Sequence, residues 1–384
     1  LVRDHDLFAR TYLICVALLL LLPNPATARN LFYFVVLPCF ALAIDWTTWA
    51  RVARSWTLRF AALLLFWLWL TLFWSDSATP SQITNTGRKL LLILAFVAAT
   101  AHLIATTPGF ATRLFRWVAY AGALAAAAAI SWTAIRSPIL PFMRVGAFPF
   151  PNSNASGAVY GAALTGAFWY LWLCSPKRWQ TGRDAPALAV LGSFLLLTQS
   201  RGAVMALAVA LSICFISVRG IRPAAMAVAA GALVLGLLFG FGVIDPAPLL
   251  ERGDSYRVEA WAHYLNVWRQ HPFLGIGLNA MPTFMSADGV VEIVHAHNMY
   301  LSHLVLGGVP ALALLLLMLI AAARAAWLSH VNANDIGPAA LLVFILVSGL
   351  FDFTVFVDAA GWQWLYFWLP IGLIAGAEAA QRMD

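Results

Sequence analysis

The chain has 384 residues, of which 62% are hydrophobic and only 10% charged, and its mean hydropathy is +0.83. A water-soluble domain of this length would not combine so little charge with 17 tryptophans, so the composition describes a chain whose solvent is lipid, an all-α polytopic membrane protein. The net charge of +7 comes from lysines and arginines scattered singly between apolar segments, where they set orientation and meet lipid phosphates, which argues against a nucleic-acid partner.

The first apolar run, residues 7–22, follows Arg3 and Arg10 and precedes Ala26-Thr27-Ala28, the pattern of a signal peptide with a small-residue cleavage site. The parity required by the later charges favours a retained anchor instead. Further apolar segments fall at 30–44, 57–74, 90–107, 114–135, 156–174, 186–199, 202–218, 223–244, 299–323, 336–357 and 361–379, giving about 12 predicted spans at ~20 residues each. The segment 186–199 reaches only about 20 Å as a helix, so the turn Thr198-Gln199-Ser200-Arg201 is expected below the membrane surface. Cys15, Cys39, Cys174 and Cys214 all lie within apolar segments and suggest neither a disulfide framework nor a zinc site.

Counting Lys and Arg on alternate sides sets the orientation. With the N-terminus inside, about 14 fall in the cytoplasm, among them Arg51, Arg54, Arg59, Lys177 and Arg178, against about nine outside. The expected organisation is transmembrane helices over 1–244, a large periplasmic loop containing helices over 245–298, and three more transmembrane helices over 299–384, with both termini cytoplasmic.

Polar chemistry is concentrated in residues 251–310, which hold Arg252, Asp254, Arg257, Glu259, Arg269, His263, His271, His295, His297 and His303. Asp254 or Ser255 is placed to cap a helix running to Gln270, with Arg257, Trp261, Tyr264 and Trp268 on one face, and His271-Pro272 ends it. Aromatics with an arginine on one face stack on sugars, which makes Trp261 and Tyr264 candidate substrate contacts; the competing reading is an interfacial amphipathic helix without chemistry.

Arg201 stands at the N-terminal end of a span, where unpaired N–H groups and the helix dipole favour an anion, and Gly202 lets a ligand approach. A guanidinium binds a pyrophosphate leaving group bidentately; the competing reading is a snorkelling arginine. Arg88 and Lys89, at the outer start of a span, would add to an anion site. His297, followed by Asn298 at the outer end of another span, offers an imidazole able to take a proton from a hydroxyl. His295 is expected to point elsewhere, His303 lies inside the span, and Asp352 and Asp358 are spaced to orient an arginine or the histidine. The Asp-x-Asp at Asp4-His5-Asp6 falls on the cytoplasmic side, and no Gly-rich phosphate loop, His-Glu-x-x-His or nucleophile elbow occurs. Chemistry by fixed cations and one base, with no metal and no cofactor, fits these residues.

Thr-Gln-Ser-Arg-Gly at 198–202, Asp-Ser-Tyr-Arg-Val-Glu-Ala-Trp at 254–261 with His-Pro-Phe-Leu-Gly-Ile-Gly at 271–277, and His-Ala-His-Asn-Met-Tyr-Leu at 295–301 before Gly307-Gly308 resemble the O-antigen ligase superfamily. That superfamily comprises O-antigen ligases, O-antigen polymerases and protein O-oligosaccharyltransferases of Gram-negative inner membranes. The motifs cover about residues 140–310, although Gly308-Val309-Pro310-Ala311 lacks a further glycine three residues on. The resemblance implies a GT-C-like fold and an inverting, metal-independent transfer of glycan from undecaprenyl pyrophosphate to lipid A–core on the periplasmic face. It also implies that His297 is the base and that Arg201 and Arg257 hold the diphosphate. A ligase is the first expectation and a polymerase the next. A protein O-oligosaccharyltransferase would more often carry a soluble region beyond Gln381-Arg382-Met383-Asp384. A flippase for lipid-linked sugar is the reading from another class, and would call for polar residues on several mid-membrane faces.

Overall fold

The computed structural model describes residues 2–136, 144–147, 150, 152–174, 182–220, 256–286, 289, 291–352 and 356–381. The expected span at 223–244, the caps expected at Asp254 or Ser255, and Arg252 lie outside the described residues.

The chain is mostly helical. Helix α1 (Val2–Leu21) is followed by α2 (Ala26–Leu31) and α3 (Leu37–Ala43), joined by a π-helical turn, then by the short α4 (Trp46–Val52). Long helices follow: α5 (Trp56–Leu70), α6 (Pro80–Thr106), α7 (Phe110–Arg136) and α8 (Ser153–Ala167). Next come α9 (Ala185–Leu197), α10 (Arg201–Arg219) and the polar helix α11 (Arg257–Gln270). Strands β1 (Phe284–Met285) and β2 (Glu292–Ile293) pair antiparallel with Phe284 opposite Ile293 and Met285 opposite Glu292. Helices α12 (Met299–Ala333), α13 (Gly337–Phe351) and α14 (Leu369–Ala380) complete the described fold.

Six helical stretches are long and apolar enough to cross a membrane: Ala26–Ala43, Trp56–Trp74, Pro80–Thr106, Phe110–Arg136, Arg201–Arg219 and Met299–Ala333. Six is fewer, among the described residues, than the about 12 spans read from hydropathy. Several apolar runs stop short of membrane length as helix: 336–357 ends at Phe351, and 186–199 is helical only over Ala185–Leu197. One run is longer than expected. Helix α6 starts at Pro80 because Thr79 and Gln82 form a reciprocal capping box, so Arg88 and Lys89 lie within the helix and not at its start.

Helix α6 packs on α14, α5 on α12, α10 on α13, and α1 on α7. Rings fill the first of these regions: Phe96 lies 4.7 Å from Trp364 and 5.7 Å from Tyr12, whose hydroxyl is hydrogen-bonded to Thr100. At the end of the bundle opposite the arginine-rich cavity described below, the buried Glu378 carboxylate accepts from Ser55 Oγ (2.6 Å), Thr57 Oγ1 (3.0 Å) and the N–H of Trp56 (3.0 Å). It thereby satisfies the open N–H groups at the start of α5 and ties that helix to α14.

The segment His271–Gly277 has a structural task. Helix α12 is broken at Gly308 (φ 67°, ψ −167°), two residues before Pro310, which leaves backbone groups without helical partners. The loop supplies them: Ile276 N–H donates to Val305 O (3.0 Å), Gly277 N–H to Leu306 O (2.9 Å), and Val309 N–H to Pro272 O (3.0 Å). Trp67 Nε1 donates to Gly307 O (2.8 Å). Contact this close needs a glycine, since a Cβ on Gly308 would sit 2.0 Å from Phe273 O. Gly308→Ala should therefore lower the thermal unfolding temperature in detergent far more than Gly109→Ala. Gly109 shares a left-handed φ (+69°) but has nothing within 4 Å of the added carbon, so equal losses would refute the account of the break.

Candidate active site

A cavity of ≈ 250 Å³ opens where the N-terminal ends of α10 and α11 meet the C-terminal end of α13 and the residues just before α12. Its lining includes Arg144, Arg201, Arg257, Glu292, His297 and Asp352. The first residues of two helices thus face one space, and the positive ends of their dipoles add to three guanidinium groups. Arg201 is the first residue of α10 and Arg257 the first of α11.

Small residues allow this convergence. A Cβ on Gly157 would lie 2.6 Å from Ser200 Cβ, and one on Gly202 2.9 Å from Phe351 Cβ. Gly202, expected to make way for a ligand, lines the cavity and also admits the end of α13, which brings Asp352 alongside. Gln199 (φ 50°) and His297 (φ 46°) line the cavity in left-handed backbone, and Tyr256 (φ 60°) immediately precedes Arg257. Non-glycine residues hold that conformation only where surrounding contacts enforce it.

His297 and Asp352 form a dyad, with Nδ1 of the ring 3.0 Å from Oδ1 of the carboxylate. The carboxylate accepts, which assigns the ring hydrogen to Nδ1 and leaves Nε2 as a base. Asn298 sets the dyad in place: its Oδ1 caps α12 by accepting from Leu301 N–H (3.0 Å), and its Nδ2 donates to Leu350 O (3.2 Å) at the end of α13.

His295 does not point away from His297. The left-handed turn at His297 folds the segment back, so the two rings lie 3.9 Å apart and His295 Nδ1 accepts the backbone N–H of His297 (3.3 Å). Burial, then the neighbouring His297 ring, with a further contribution from Arg257, pushes His295 down to about 4 against the opposing pull of Asp352. It is a neutral ring whose hydrogen sits on Nε2.

His295, His297 and Asp352 also place one potential ligand atom each within 4.8 Å of one another, a three-donor set that sequence spacing did not suggest. Nδ1 of His295 accepts a backbone N–H and Nδ1 of His297 donates to the carboxylate, so an ion there would meet the two rings at Nε2.

The remaining candidates stand outside the cavity lining. Trp261 Nε1 donates to Ala296 O (2.8 Å), and the buried Tyr264 hydroxyl lies within reach of Pro282 O (2.9 Å) and Ile293 O (3.2 Å). Burial raises the Tyr264 phenol to about 12, which keeps it a neutral donor. These two aromatics therefore pin the segment from Ile293 to Ala296 that leads into His297, and stand outside the cavity lining. Lys89 is paired with Asp358 (2.7 Å) and Arg88 donates to Asn85 (2.9 Å), so the structure does not bring either to the cavity.

Arg144 and Glu292 were not singled out from the sequence. Arg144 is held by Asn154 Oδ1 (2.5 Å) and Thr198 O (3.4 Å), beside the turn that presents Arg201. Its position just before α8 gave it the look of one more loop cation. Asp352, expected to orient an arginine or the histidine, is bonded to the histidine.

The sequence model of the family described as O-antigen ligase matches residues 186–316, from α9 through the first half of α12. An O-antigen ligase of Pseudomonas aeruginosa is 30% identical over 335 residues, covering 84% of this chain and 78% of that protein. The matched region contains Gln199, Arg201, Gly202, Arg257, Glu292 and His297 of the cavity, whereas Arg144, Asn154, Phe351 and Asp352 lie outside it.

Proposed function

Because the chain belongs to the O-antigen ligase family, we propose that it transfers O-antigen glycan from undecaprenyl pyrophosphate to a hydroxyl of lipid A–core, with inversion at the anomeric carbon. The observation that carries this reading is the meeting of one base dyad with three arginines in one cavity at two helix N-termini. His297 Nε2 takes the proton of the acceptor hydroxyl as its oxygen attacks the anomeric carbon. The bond from that carbon to the phosphate oxygen breaks, and undecaprenyl pyrophosphate leaves with the electron pair. Asp352 stabilises the imidazolium that forms. Arg201 and Arg257 offset the charge that grows on the leaving diphosphate, and Arg144 adds a third cation at the rim.

The same reading places the cavity on the periplasmic side of the inner membrane, with both termini cytoplasmic. Arg51, Arg54 and Arg59 cluster near Glu378 at the opposite end of the bundle, in keeping with a cytoplasmic face richer in cations. Purified protein incubated with the lipid-linked glycan and lipid A–core should yield joined product, and excess chelator should leave the rate unchanged. Product formed only from a second lipid-linked glycan would mark a polymerase, and loss of activity to chelator restored by Mg²⁺ or Mn²⁺ would refute the dyad chemistry.

A further inference from the structure

We infer that Glu292 holds the acceptor sugar, by accepting hydrogen bonds from hydroxyls next to the one that His297 deprotonates; the inference rests on the glycosyl transfer proposed above. The cavity is rich in donors. Arg144, Arg201 and Arg257 have no acceptor atom, while a sugar brings several O–H groups that need acceptors once they leave water. Among the described residues two carboxylates line the space, and Asp352 is already bonded to His297. Glu292 is the other one. No lysine or arginine nitrogen lies within ion-pair distance of its carboxylate among the described residues. A carboxylate facing the diphosphate would repel it, so Glu292 suits the uncharged reactant.

Its support is as firm as that of the base. Glu292 pairs with Met285 across the two-stranded sheet, and the next residue, Ile293, is buried with its carbonyl 3.2 Å from the Tyr264 hydroxyl. Alternation along the strand turns the exposed Glu292 side chain the other way. Farther along the same segment, Trp261 holds Ala296 O, one residue before His297. Aromatics of α11 thus lock the clamp and the base into one unit, so the hydroxyl and its neighbours are fixed against a single segment.

The test is steady-state kinetics on purified Glu292→Ala and Glu292→Gln with varied lipid A–core, alongside binding of undecaprenyl pyrophosphate and thermal unfolding of the same samples. Glu292→Ala should raise the acceptor KM about 10- to 100-fold, with Glu292→Gln in between, while diphosphate affinity and unfolding temperature stay at wild-type values. An unchanged acceptor KM, or a change confined to diphosphate affinity, would overturn the assignment. So would a fall in kcat as deep as that of His297→Ala at constant KM, which would make Glu292 the base. If the wild-type chain forms no product from lipid A–core, the ligase reading fails and this inference with it. Product from the wild type with an unaltered KM in the variants sinks the Glu292 assignment alone.

Discussion

His297→Ala is expected to lower turnover by on the order of 10²–10⁴-fold while leaving affinity for undecaprenyl pyrophosphate nearly intact, because a general base acts on the acceptor and not on the donor. Asp352→Asn should fall in the same range, since the amide removes the anionic partner that holds the ring hydrogen on Nδ1 and stabilises the imidazolium. The two losses should not add. Once Nε2 is gone its orienting carboxylate has nothing left to orient, so the double variant should match His297→Ala. His295→Ala removes one hydrogen bond to the His297 backbone and should cost far less. Arg269, exposed and bonded to Asn266, serves as a control. Turnover kept by His297→Ala but abolished by His295→Ala would move the base to His295.

Removing Arg201 or Arg257 should fail differently. Either alanine variant should weaken undecaprenyl pyrophosphate binding by about 10- to 100-fold and lower turnover as well, because the charge they meet is present in the donor and grows as the bond breaks. Arg201→Lys keeps the charge but loses the planar fork, so it should recover only part of the loss. Titrating the lipid diphosphate and measuring product on the same preparations separates the two effects. An arginine variant that binds donor as tightly as wild type would remove that residue from the diphosphate site.

The apolar composition, the all-helical class and the stretch where polar chemistry gathers were legible from the chain alone, because in lipid every charge is costly and a sequence that keeps one marks its place. For the same reason Arg201 and His297 stood out at the ends of apolar runs. Their common cavity was not legible. It depends on Gly157 and Gly202 letting α8, α10 and α13 approach, a matter of tertiary packing that no local period records. Asp352, read from the chain as a partner for an arginine or the histidine, reaches His297 across 55 positions, and Arg144 reaches the Thr198 turn across 54, so packing alone decides which partner each takes.

Trp261 and Tyr264 show the limit from the other side. Helical spacing put them on a face with Arg257, but spacing does not say what that face meets; the fold turns them inward against the segment that leads into His297, leaving Arg257 at the cavity. His295 turned out to lie against His297, ring beside ring, where the chain turns through one left-handed residue, and backbone sign at a non-glycine position is invisible in composition. The glycines of His271–Gly277 were visible as a motif, yet their purpose required seeing the broken turn of α12 that they fill. Sequence by itself determined the solvent, the helices and which polar residues had to be explained; tertiary structure decided which of them share a site, since contacts between distant segments are set by how the helices pack.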